Sequence, residues 1–145
     1  DPSRIIFANS LPMDEHLARY ALADIFLDTF NFNAHTTASE ALWAGLPVVT
    51  KLGKSFASRV AGSLLTAVGL DELITETESK YEELILELAL NSEKLKKIKY
   101  KLNKNKFTEP LFDTELYISH IEQSYSKAHD NYLLGNDPVD INISP

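Results

Sequence analysis

His35-Thr36-Thr37 is the run of neighbouring residues best equipped for chemistry in this chain. An imidazole and two hydroxyls stand where a loop containing Asn31, Asn33 and Ala34 meets a helical pattern that begins at Thr36. A helix start leaves its first backbone N–H groups without intrahelical acceptors and carries partial positive charge. Hydroxyls added to those donors make a seat for a phosphate or diphosphate. Glu40 follows three residues after Thr37 and can accept hydrogen bonds from ribose hydroxyls. The same residues also have a purely structural meaning. Thr37-Ala38-Ser39-Glu40 fits the capping box, in which Thr and Glu satisfy each other's backbone donors, and His35 fits an ordinary loop histidine. Local spacing favours the box, and a capped helix start can still bind an anion.

A second pair, His16 and Arg19, lies one turn apart on a helical pattern. The imidazole can stack on a base and the guanidinium can donate to a base carbonyl. Spacing alone favours a solvated face, with Asp14 or Glu15 pairing weakly with Arg19. Asp28 ends an apolar run and serves either a ligand or a turn. Lys51 and Lys54 flank Gly53 without the GK[ST] spacing of a phosphate loop. His16, His35, His120 and His129 are scattered, and no metal-binding spacing occurs. Trp43, Phe26, Phe30 and Phe32 read as core or loop anchors.

The elements that must position these residues follow from periodicity. Ile5, Ile6 and Phe7, within Arg4 to Ala8, predict a buried strand. Asn9 to Met13, with Pro12, predicts a turn, and Asp14 to Ala23 a helix with Leu17, Tyr20 and Ala21 on one face. Ile25 to Leu27 predicts a second strand, Thr36 to Ala44 a helix ended by Gly45 and Pro47, and Pro47 to Thr50 a third strand. Apolar strands separated by helices imply a parallel sheet covered on both faces. Ligands of such sheets sit beyond the C-terminal strand ends, which selects the loops Asn9 to Met13, Asp28 to His35 and Lys51 to Phe56. Further on, Ser58 to Val68 predicts a helix ended by Gly69, and Leu73 to Thr75 a very short strand. Tyr81, Leu84, Ile85, Leu88 and Ala89 form one helical stripe, and Leu95, Ile98 and Leu102 another. Pro110 breaks the second helix. Asp113 or Thr114 caps a last helix carrying Tyr117, Ile121, Tyr125, Ala128 and Tyr132, which Gly135 ends. One domain is expected over 1–135, with a loosely ordered tail over 136–145.

Composition sets the outer limits. The 145 residues are 44% hydrophobic and 24% charged, an ordinary globular profile. A formal charge of −7 argues against nucleic acid as a partner. There are no cysteines, so disulfides and thiolate metal sites are excluded, and a reducing, cytoplasmic compartment fits. No apolar run is long enough to cross a membrane. Asp1-Pro2-Ser3-Arg4 reads as a loop before a strand, so the chain is expected to be part of something larger.

LDTFNFNAHTTASEALWAGLPVVT, from Leu27 to Thr50, resembles the C-terminal catalytic region of the O-GlcNAc transferase and SPINDLY family. RIIF at Arg4, EHLARYALAD at Glu15, FASRVAGSLLTAVGL at Phe56 and PLFDTELY at Pro110 resemble that family in the same order, so the likeness runs from Arg4 to about Gly135. It implies an α/β fold: part of the Rossmann-like C-terminal lobe of a GT-B glycosyltransferase, followed by C-terminal helices. It implies a nucleotide-sugar donor, UDP-GlcNAc or another, and transfer to Ser or Thr of a protein with inversion and without metal or cofactor. His35, Thr36 and Thr37 would contact the donor diphosphate and Glu40 the ribose. The backbone at Leu11, with the side chains of His16 and Arg19, would surround the base.

The O-GlcNAc branch usually has Lys at the position of Met13 and Asp at that of Glu40. Glu40 resembles the SPINDLY branch, which uses GDP-fucose, and Arg19 resembles the O-GlcNAc branch. The family's repeats, its N-terminal lobe and a donor-binding lysine have no counterpart here, so no catalytic base can be named, and the chain alone is expected to be inactive. The protein acceptor would meet those other parts. Two further readings are an interaction domain that self-associates through an unpaired sheet edge, and a different two-lobed enzyme such as an epimerase or a phosphorylase-like protein.

Overall fold

A computed structural model describes residues 1–143. Its centre is β2 (Val48–Lys51), where Val48, Val49 and Thr50 are wholly buried. On one side β2 pairs in parallel with β1 (Phe26–Leu27), Phe26 opposite Val48 and Leu27 opposite Val49. On the other it pairs in parallel with β3 (Ile74–Thr75), Thr50 opposite Ile74. Parallel neighbours require crossovers, and two helices supply them: α2 (Thr36–Trp43) between β1 and β2, and α3 (Val60–Ala67) between β2 and β3. This is the α/β architecture expected of part of a Rossmann-like lobe.

Each crossover helix ends the way its glycine predicts. At Gly45 (φ +87°), the Leu46 N–H returns to Ala41 and the Gly45 N–H to Leu42. At Gly69 (φ +69°), Leu70 returns to Leu65 and Gly69 to Thr66. A left-handed residue after the last turn satisfies the final carbonyls and reverses the chain. Leu46 and Leu70 are thereby tucked into the core, a few residues ahead of β2 and β3.

α1 (Met13–Arg19) continues into a tight turn at Tyr20–Leu22. The second half supplies α4 (Glu78–Leu90), α5 (Ser92–Asn105) and α6 (Thr114–Leu133). Leu88 of α4 and Ile98 and Leu102 of α5 complete one core with Leu42, Leu65 and Leu73. Asp113 caps α6 by accepting from the Leu116 N–H at 2.9 Å. The residues 136–143 form no regular element. The Lys127 ammonium and the Asn131 side-chain amide hold this stretch against α6 through the carbonyls of Asn142 and Asp137. The rest of the expected tail, 144–145, lies outside the described residues.

Four of the six lysines of α5 are tied up in ion pairs: Lys94 with Glu87, Lys96 with Glu93, Lys99 with Asp24 and Lys101 with Glu72. Exposed pairs of this kind contribute little stability, but they leave this face less available to an acidic partner than its composition suggests.

One expected strand is not formed. Arg4 to Ala8 is not a buried strand: Pro2–Arg4 is a single tight turn, and Ile5, Ile6 and Phe7 are 65%, 87% and 92% exposed. A strand needs a neighbour for its backbone groups and cover for its faces. Among the described residues nothing pairs with this segment, and β1 is the edge of the sheet. The α6 helix forms as expected, and its stripe lies at the surface, with Tyr117, Tyr125 and Tyr132 all exposed and no residue of the helix buried. Periodicity identified the helix correctly but did not show what its apolar face packs against. Ala89, assigned to the α4 stripe, is likewise exposed.

Candidate functional site

The loop from β1 to α2 is built around Asp28. Asp28 is only 5% exposed, and its carboxylate accepts two hydrogen bonds, from the Ala34 N–H at 2.7 Å and the Thr50 hydroxyl at 2.5 Å. Asn33, also buried, donates its side-chain amide to the Thr29 carbonyl at 2.8 Å and accepts from the Ala61 N–H at 3.3 Å. The Asn33 N–H reaches the Ala57 carbonyl at 2.8 Å. Asp28 thus fastens the loop to the sheet and Asn33 fastens it to the start of α3. The Tyr81 hydroxyl adds a bond to the Asp28 carbonyl at 2.9 Å. Burial first, and then the Asp28 charge, push the Tyr81 phenol above its ordinary pKa. Of the two sequence readings of Asp28, this geometry is that of the loop-former.

The rigid loop delivers His35 to the head of α2. The His35 ring stacks on Phe32 (centroids 4.7 Å apart, planes 12° apart) and meets Phe56 edge-on at 6.2 Å. Its Nε2 lies 3.5 Å from the Ala57 carbonyl. Phe32, read from sequence as an anchor, is therefore the stacking partner of the candidate histidine.

His35 is the helix N-cap residue, and its side chain makes no capping bond. This overturns the capping box. The helix begins at Thr36, two residues earlier than the box requires, so Glu40 is its fifth residue rather than its third. From there the carboxylate cannot return to the cap amide and reaches sideways instead. The first turn of α2 holds no acid and no side-chain cap, and Thr36 and Thr37 are exposed. Such a turn presents unused donors and the positive end of the helix dipole.

Glu40 points to α1. Its Oε2 lies 3.3 Å from His16 Nε2. Arg19 donates to His16 Nδ1 at 2.5 Å and to the Asn9 carbonyl at 2.8 Å. It does not pair with Asp14 or Glu15, contrary to the solvated-face reading. The acceptors offered by His16 and by the chain ahead of α1 are held in place, whereas an exposed carboxylate on the same helix would have to be ordered first. Three of the residues singled out in the sequence, His16, Arg19 and Glu40, therefore form one network across 24 positions of chain. Leu11 stands in the irregular segment just before α1, 39% exposed. Tyr20 joins the network with its hydroxyl 3.2 Å from His16 Nε2 and 3.4 Å from the Thr37 carbonyl. It was assigned only to a helix face, and its position four residues after His16 was the available signal.

Lys51 lies 4.4 Å from the centre of the Phe30 ring and pairs with Glu78 at 3.2 Å. Better-formed surface hollows lie elsewhere, one against Leu52, Arg59 and Gly62 and another against Trp43, Lys106 and Phe107. The head of α2 is an open shelf. No cluster of three or more metal-ligating side chains occurs among the described residues, and no helix there is long and apolar enough to cross a membrane.

Comparison with known proteins places this geometry in a family context. The family model described as glycosyl transferase family 41 matches residues 1–121. The probable UDP-N-acetylglucosamine–peptide N-acetylglucosaminyltransferase SEC of Arabidopsis thaliana is 41% identical over 138 residues, which are 94% of this chain and 14% of that protein. The UDP-N-acetylglucosamine–peptide N-acetylglucosaminyltransferase of Caenorhabditis elegans is 37% identical over 97% of this chain and 12% of its own length. A SPINDLY protein of Hordeum vulgare, described as a probable enzyme of the same kind, is 36% identical over 86% of this chain and 13% of its own. A solved structure of a mutant O-GlcNAc transferase from Thermobaculum terrenum superposes with a TM-score of 0.76 at 32% identity, covering 81% of this chain and 22% of that one. The chain thus spans about an eighth of the length of these curated relatives.

Proposed function

The chain belongs to glycosyl transferase family 41, and on that premise we propose that it is the nucleotide-sugar-binding part of a protein O-glycosyltransferase. The donor is UDP-GlcNAc and the acceptor a Ser or Thr hydroxyl of a protein. His35, Thr36 and Thr37 hold the diphosphate, Glu40 the ribose, and Leu11, His16 and Arg19 the base. The observation that carries this reading is the uncapped, exposed first turn of α2 beside the His16–Arg19–Glu40 network.

The chemistry follows from charge. When the acceptor oxygen attacks the anomeric carbon from the face opposite the diphosphate, the sugar–phosphate bond breaks and negative charge gathers on the leaving nucleoside diphosphate. Backbone N–H groups and hydroxyls already aimed at that position stabilise the developing charge without reorganising. The residues of this chain supply that binding and leaving-group role. The acceptor and a catalytic base would be met by other parts of a longer protein, so the 145 residues alone bind donor and transfer little or no sugar. We place the protein in the cytoplasm, in keeping with its cysteine-free sequence.

Calorimetry with UDP, UDP-GlcNAc, GDP and GDP-fucose tests the reading. Saturable heat with the uridine ligands supports it. No heat with any of the four at millimolar concentration, from a folded sample, rejects it. Glu40, where the O-GlcNAc branch carries Asp, favours GDP-fucose as the second donor reading, and a clear preference for the guanosine ligands would select it.

The outer edge of β1, where Leu27 is 55% exposed, carries a separate reading, as does the exposed Ile5 to Phe7 segment. Unpaired apolar edges pair with other strands, and the isolated chain self-associates there. A single monomeric species in sedimentation velocity at high concentration would contradict this.

A further inference from the structure

Among the described residues, Tyr20 is the side chain whose polar group touches both His16 and the Thr37 backbone. It opens the tight turn after α1, and its ring packs against the core and edge-on to His16, with centroids 5.1 Å apart and planes at 71°. The direction of its hydrogen bonds follows from what each partner is able to do. A guanidinium only donates, so His16 Nδ1, 2.5 Å from Arg19, is an acceptor. The neutral ring then carries its proton on Nε2, a tautomer assigned from these partners. That N–H faces Glu40 at 3.3 Å and the Tyr20 oxygen at 3.2 Å. The Tyr20 oxygen therefore accepts from His16, and its own proton is directed to the Thr37 carbonyl at 3.4 Å. A phenol keeps its proton at neutral pH, and burial, reinforced by Glu40 and opposed by Arg19, raises the Tyr20 pKa further. The chain of donation runs from Arg19 to His16 to Tyr20 to Thr37, from α1 into the first turn of α2.

We propose that Tyr20 is a positioning residue that fixes the spacing between the base side of the site, His16 and Arg19, and its diphosphate side, Thr36 and Thr37. The proposal rests on the assignment of those residues made above. A ligand that spans both sides gains from having them preset, because less ordering is left to its binding. A ligand that touches only the head of α2 gains nothing from the bridge. Tyr20 therefore governs affinity for a whole nucleoside diphosphate and not for its diphosphate portion.

Tyr20→Phe in the 145-residue chain removes the hydroxyl and keeps the ring. Titration calorimetry is expected to show UDP bound about fivefold more weakly, the worth of one hydrogen bond, and pyrophosphate bound within about twofold of wild type. In the ligand-free protein, NMR is expected to show shifts at the His16 ring nitrogens and the Thr37 backbone. Equal weakening of UDP and pyrophosphate, no weakening of UDP, or an unchanged His16 and Thr37 would each overturn the positioning role. Failure of the underlying assignment looks different. The wild-type chain would then bind neither UDP nor pyrophosphate, while Tyr20→Phe still registered at His16 and Thr37 in the free protein, and the positioning role would fall with the assignment.

Discussion

The starts of α4, α5 and α6 differ from the start of α2. Thr77, Asn91 and Asp113 each close their helix with a side-chain bond, to the N–H of Lys80, Lys94 and Leu116 respectively. At α2 the cap residue is His35, whose ring turns away to Phe32 and Phe56. Capping stabilises a helix by satisfying the donors that an anion would otherwise use. α4, α5 and α6 use that stabilisation; α1 and α3 also lack a side-chain bond from their cap residue, though at α3 the Asn33 side chain takes up the Ala61 N–H. The helix that receives the loop from β1 leaves its donors open, and the loop's rigidity comes from Asp28 and Asn33 instead.

The largest expected effect comes from removing that substitute support. Asp28→Ala strands the Ala34 N–H and the Thr50 hydroxyl, and each bond to a buried carboxylate is worth about 2 kcal/mol. A clear fall in the denaturation midpoint and loss of nucleotide binding should appear together. His35→Asp turns the start of α2 into a capped, negatively charged one. Chemical denaturation should show stability changed by no more than about 1 kcal/mol, while UDP binding falls at least tenfold through repulsion. If binding survived, the open turn would not be the anion seat.

Asn91→Ala makes the reverse change at a helix with no assigned ligand. It should cost about 1 kcal/mol of stability and leave UDP affinity unaltered, as read by denaturation and calorimetry. The smallest effect is one of pH. The folded Tyr20 and Tyr81 phenols titrate above their ordinary value of 10.0. Their contribution to stability is complete below that value and is lost as pH rises through the folded values. Stability should therefore decline from about pH 10 upward, less steeply in Tyr20→Phe than in wild type, in denaturation series at fixed ionic strength.

Much of this was legible from local pattern. Gly45 and Gly69 marked the helix ends because a left-handed residue is needed there, and Asp113 marked the start of α6 for an equally local reason. The strands at Phe26, Val48 and Ile74 stood out because they are apolar and short and lie between helices. What failed depended on distant partners. Ile5 to Phe7 has the composition of a strand but no neighbour to pair with among the described residues. The Thr37–Glu40 spacing matched a capping box, yet Glu40 bonds to His16, 24 positions away. Within the site, His35, Thr36 and Thr37 stood out as neighbours in sequence. That His16, Arg19 and Glu40 share one network, and that Tyr20 joins it to Thr37, depended on how α1 packs beside α2.

The central claim is that the open first turn of α2 seats a nucleoside diphosphate. An NMR titration of the folded chain with UDP tests it most directly. The account predicts saturable shifts, largest at the backbone amides of Thr36, Thr37 and Ala38 and at the His16 ring. No shifts at millimolar UDP, or shifts centred away from the head of α2, would contradict it.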